Sequence, residues 1–105
     1  MEIPNTKVAV GGADATLDFY IPEDGYLVQA NVSNFSTNGL KTTLQIFRAP
    51  SGQNNKNVWS GEQVEDFGCA WTGKVPVRHG DIVRWVIEDA VAADKIEGWV
   101  TVDTS

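Results

Sequence analysis

The chain holds one histidine, His79, and one cysteine, Cys69. A Ser-His-Asp or Cys-His arrangement would have to be built from these single copies. Cys69 alternates with Phe67 and Trp71, which is the pattern of a small buried hydrophobe rather than a thiolate nucleophile. His79 stands beside Gly80 in a predicted turn, the setting of a solvent-exposed residue rather than a general base. Two lone ligands far apart in the chain do not make a zinc site. The carboxylates Glu23-Asp24, Glu65-Asp66, Glu88-Asp89 and Asp94 fall near predicted strand ends, where calcium could draw oxygen ligands from loops. No segment has the EF-hand spacing, so they read as solvated acidic edges that discourage edge-to-edge strand pairing. Nothing selects one carboxylate pair for glycosidase chemistry. The expectation is a non-enzymatic chain with no catalytic residue, no metal and no cofactor.

The aromatics and amides are more informative. Phe47 and Trp99 are predicted to point away from the core faces of their strands, and Trp59 sits in or beside a polar stretch. Several off-core rings on a small domain predict a second buried surface, either a subunit interface through Phe47 and Trp99 or a stacking platform for a ligand. A sugar site needs aromatic faces and amide hydrogen bonds. Trp59, Trp99 or Tyr26 would supply the rings, and Asn54, Asn55 and Asn57 the amides.

These side chains must be positioned by strands. Apolar residues recur with period two in short runs separated by turn signals, which predicts an all-β domain of seven or eight strands. From Thr16 to Ile21, Leu17, Phe19 and Ile21 share one face. Pro22-Glu23-Asp24-Gly25 ends that run as a turn, and a hairpin is expected to follow. Tyr26, Val28, Ala30 and Val32 are then expected on one face, and Leu40, Leu44 and Ile46 on another. Pro50 to Gly61 is read as an extended surface loop. Beyond it, Phe67, Cys69 and Trp71 alternate inward. Ile82 to Glu88 is apolar on both sides and reads as a central strand. Ala90 to Asp94 is expected to form a helical turn or loop before Ile96, Val100 and Val102, which share the core face of the last strand.

At 105 residues and 42% hydrophobic content the chain is one domain, residues 1–105. Fourteen acidic residues against eight basic ones give a net charge of -6, which repels phosphate backbones, so nucleic acid is not an expected partner. No run approaches the ~18 apolar residues of a membrane span, and no membrane insertion is expected. The Met-Glu-Ile-Pro start lacks the pattern of a signal peptide. The triplets Asn31-Val32-Ser33 and Asn34-Phe35-Ser36 therefore carry no information as glycosylation sites.

Two segments, FYIPEDGYLVQANV from Phe19 to Val32 and VPVRHGDIVRWVIED from Val75 to Asp89, resemble the strand-turn-strand units of C1q/TNF-like jelly rolls. Gly80 permits the tight turn in the second, and Asp81 can bond nearby backbone amides. Domains of this kind recur as trimeric heads of phage fibres and as capsid decorations. The resemblance implies an antiparallel β-sandwich of jelly-roll type that assembles as a homotrimer with other virion proteins. It brings no catalytic residue, and it places the protein in the virion after synthesis in the host cytoplasm. A carbohydrate-binding module is the alternative expectation, with a glycan as its partner.

Overall fold

The computed structural model describes residues 1–8, 13–34, 41–48, 55–62, 69–90 and 95–104. Eight strands form: β1 (Glu2–Val8), β2 (Ala13–Tyr20), β3 (Gly25–Asn34), β4 (Lys41–Phe47), β5 (Asn55–Glu62), β6 (Cys69–Val77), β7 (Ile82–Ala90) and β8 (Lys95–Asp103). They make two four-stranded antiparallel sheets, a front sheet ordered β1-β8-β3-β6 and a back sheet ordered β2-β7-β4-β5. In chain order the pairs are β4 with β5, β3 with β6, β2 with β7 and β1 with β8. That is one long hairpin rolled over so that successive pairs alternate between sheets. The fold is therefore an antiparallel β-sandwich of jelly-roll type.

The core lies between the two inner faces. Leu17, Phe19 and Ile21 point into it, as their alternation predicts, and so do Leu44, Ile46, Ile96, Val100 and Val102. Trp85 is its largest fully enclosed side chain, on β7, which is an internal strand as its two apolar sides foretell. The outward residues of that strand, Ile82 and Val86, are half-buried.

Three expectations change, and one strand forms that the sequence pattern does not announce. The tetrapeptide at Pro22 to Gly25 does turn the chain, but β2 and β3 lie in different sheets, so the turn makes a corner of the sandwich and not a hairpin. On β3 the register with both neighbours shifts between Leu27 and Gln29. This bulge absorbs Val28, so Leu27 shares the inner face with Ala30 and Val32 while Tyr26 turns outward. The expected loop from Pro50 to Gly61 ends in strand β5, because pairing with β4 overrides the poor strand propensity of its Asn and Lys residues. Finally, β1 is a strand despite Pro4, which an edge position tolerates because no ladder bond is lost on its open side. Ala90 ends β7; residues 91–94 and Phe67 lie outside the described residues.

The corner between β2 and β3 is fastened to the corner between β6 and β7. The Ile21 amide donates to the Asp81 carbonyl at 3.0 Å, and the Gly80 amide to the Ile21 carbonyl at 2.9 Å. Gly80 has φ of 92°, a left-handed conformation that a side chain would oppose. Asp81 is fully buried; its Oδ2 accepts from the Arg78 amide at 3.0 Å and from Arg48 Nη1 at 2.9 Å. The same Arg48 nitrogen donates to the Pro76 carbonyl at 2.7 Å. One carboxylate thus joins the end of β4 to the turn that leads into β7. Replacing Asp81→Ala strands a guanidinium and a turn amide, and the expected loss is about 2–4 kcal/mol of unfolding free energy. The check is the urea midpoint, which should fall at an unchanged slope and fall less for Asp81→Asn.

Candidate functional site

The residues that could have formed a catalytic pair are kept apart. Cys69 begins β6 and is buried, whereas His79 lies past its far end in an exposed turn. At ~3.3 Å per residue the strand separates them by roughly 25 Å. His79 contributes its backbone, whose N–H donates to Asp24 Oδ1 at 2.9 Å and so ties the two corner turns together. Burial pushes the Cys69 thiol up from its ordinary range, partly offset by a hydrogen bond with Thr42. Among the described residues, no three His, Cys, Asp or Glu side chains gather as a metal site. Glu65, Asp66 and Asp94 lie outside them.

The expected sugar-binding set disperses. Trp59 on β5 pairs with Leu44 and turns inward, where its ring meets Trp85 edge-on at 6.0 Å. It is half-buried against the core, and its ring covers the Cα of Gly61. Trp59 therefore sits on strand β5 with its ring packed against the core, rather than in the loop expected from Pro50 to Gly61. Asn57 faces the opposite way and accepts a hydrogen bond from Gln45 Nε2 at 3.0 Å, so its amide already has a partner within the sheet. Asn55 opens β5 opposite Phe47, and Asn54 lies outside the described residues. Tyr26 is exposed, as a binding residue would be, but it lies on the other sheet and the Lys74 ammonium sits 4.5 Å from its ring centroid.

The two expected interface residues both point away from the core, on opposite outer faces. Phe47 belongs to the back sheet, where Tyr20, Ile82 and Phe47 follow one another across β2, β7 and β4. The Arg84 guanidinium lies over the Phe47 ring at 4.5 Å and is gripped by both oxygens of Asp18, at 2.7 and 3.0 Å. Those hydrogen bonds raise the Arg84 pKa further above its ordinary value. Phe47 is consequently half-buried, and Tyr20, at 67% exposure, is the prominent ring of that face. Sequence reading passed over Tyr20, although strict alternation from inward Phe19 already places it outside.

Trp99 lies on the front sheet. Its register partners are Pro4 on β1 and Asn31 on β3, so Pro4, Trp99 and Asn31 form one row across the outer face. Neighbouring rows carry Glu2, Thr101, Gln29 and Thr72, and then Thr6, Glu97 and Ser33. The face is thus a carpet of hydroxyls, amides and carboxylates around an exposed indole. A shallow groove of about 430 Å³ runs along it, lined by Glu2, Pro4, Asn5 and Thr6 of β1, Ser33 of β3, and Glu97, Gly98 and Trp99 of β8. Gly98 itself faces inward, where a Cβ would collide with the Asn31 carbonyl oxygen, so the close approach of β8 to β3 requires glycine there. Asn31 Oδ1 is enclosed with no donor among the described residues, a cost of ~1–3 kcal/mol for a buried acceptor. Asn5 fixes the rim: its amide donates to the Asp18 carbonyl at 2.8 Å and its oxygen accepts from the Thr6 amide at 2.8 Å.

No protein-family model and no curated protein matches the chain.

Because the thiol is buried and its pKa raised, Cys69 is expected to stay neutral and shielded at pH 8. A disulfide reagent such as DTNB should leave it unreacted in the folded protein and titrate it fully once urea unfolds the chain.

Proposed function

We propose that this chain is a non-enzymatic structural component of a phage particle, on the capsid or in a fibre, that assembles as a homotrimer through its β-sandwich. Fold alone does not give function. The observation that carries the reading is the behaviour of the two segments that resemble C1q/TNF-like jelly rolls. Though more than fifty residues apart in sequence, their turns fold against one another, joined by the Ile21–Asp81, Gly80–Ile21 and His79–Asp24 hydrogen bonds. They act as one structural unit of an eight-stranded jelly roll, an architecture found in viral capsid domains as well as in lectin domains and cupins.

The back face is one of the two surfaces that the threefold contact joins in this reading. Tyr20 leads it, with Ile82, Phe47 and Val86 behind, and Arg84 holds the Phe47 ring in place. A self-complementary patch cannot include both Phe47 and Trp99, because the thickness of the sandwich separates them. A threefold ring joins unlike surfaces of neighbouring copies, so it needs no such shared patch.

Light scattering across a dilution series tests the reading. The expected mass is three times the 11.4 kDa of one chain. Tyr20→Asp and Phe47→Asp are expected to yield monomers, and Trp99→Asp to leave the trimer intact. A wild-type monomer at every concentration, or a trimer indifferent to Tyr20→Asp, overturns it.

A further inference from the structure

We infer that the groove beside Trp99 on the front face is a binding site for a neutral pyranose sugar, presented as a terminal or internal unit of a glycan. The inference does not rest on the assembly reading, which uses the other face. The groove pairs two apolar surfaces, the Pro4 ring and the Trp99 indole, which are direct cross-strand neighbours. Trp99 is 37% exposed, and among the described residues neither a cation nor another ring covers it, in contrast to Tyr26 and Phe47. A flat, exposed indole in a groove suits a ligand with a flat C–H face.

The polar groups decide what surrounds that face. Ser33 and Thr6 offer hydroxyls, while Glu2 and Glu97 offer carboxylates that only accept. Asn31 stands in the same row as Trp99 across the outer face. The carboxylates only accept, while the hydroxyls and the indole N–H donate, and a ring of sugar hydroxyls, each a donor and an acceptor, answers both. Anionic ligands are disfavoured. Lys95, four residues before Trp99, already spends its ammonium on Glu97 at 2.8 Å, and the chain carries a net charge of -6. The volume, about 430 Å³, falls within the ~300–1,000 Å³ of small-ligand clefts. Glycosidase chemistry is not part of the inference, which concerns recognition only.

The test is an array of immobilised neutral glycans terminating in glucose, galactose, mannose or N-acetylglucosamine, with sialylated and sulfated glycans alongside. Hits are then titrated in solution by calorimetry and tryptophan fluorescence. The wild-type protein is expected to bind at least one neutral glycan. Trp99→Ala should weaken that affinity by about tenfold or more, the equivalent of one stacking contact, at an unchanged solution mass. Ser33→Trp, which fills the groove from β3 and keeps Trp99 in the sequence, should do the same and guards against loss of fold in the first variant. Trp59→Phe should leave binding intact. The inference is overturned if no neutral glycan binds at millimolar concentration, if only acidic glycans bind, or if binding survives both Trp99→Ala and Ser33→Trp in folded protein. Since solution mass is measured separately, a glycan-binding monomer would sink the assembly reading alone, and a trimer blind to every glycan would sink this one alone.

Discussion

A single enclosed carboxylate holds together the corner on which the roll of the sheets depends. Asp81 sits where the chain leaves the front sheet and enters the back one, and it collects a guanidinium from Arg48 and an amide from Arg78. A buried negative charge is costly unless it is paired and hydrogen-bonded, so the site tolerates few other arrangements of these neighbours. Asp81's own carbonyl then receives the Ile21 amide, which brings the end of β2 to the start of β7. The pairing of those two strands continues directly from this contact, from Tyr20 opposite Ile82 to Leu17 opposite Trp85.

From that corner the two faces of the sandwich acquire different characters. The inner faces close around Trp85, with Trp59 packed edge-on against it. On the back face the Phe47 ring is covered by a cation that is itself held by Asp18, which leaves Tyr20 as the projecting feature. The front face instead leaves an indole open among polar side chains. The division follows from period-two alternation on strands whose inner positions are committed to the core. Each outward residue was therefore free to serve contact with something else.

Much of this was legible from the chain. Alternation in β2, β4, β7 and β8 places Leu17, Phe19, Leu44, Val83, Trp85 and Val100 inside, and all of them are buried. An all-β sandwich of seven or eight strands follows from that pattern and the turn residues. What local pattern cannot carry is information that resides in pairing. Pro22 to Gly25 announces a turn but not that the next strand joins the other sheet. The bulge at Val28 reverses the side on which Tyr26 emerges, and β5 exists only because β4 offers it a ladder. The outward direction of Phe47 and Trp99 could be read from alternation, whereas the groove beside Trp99 could not. Its other wall is β1, whose Pro4, Asn5 and Lys7 show no alternation and whose partners in the sheet lie 87 to 99 residues away.

That last separation bears on how the molecule comes into being. Glu2 pairs with Thr101 and Val8 with Lys95, so the first strand has no ladder to join until the last has been made. The inner pairs, β4 with β5 and β3 with β6, close much shorter loops and can form while synthesis continues. During translation, then, β1 waits as an unpaired segment, and a topology so dominated by distant partners belongs among the slow-folding classes. Pro4 and the charged Glu2 and Lys7 keep that waiting strand a poor template for pairing with other chains.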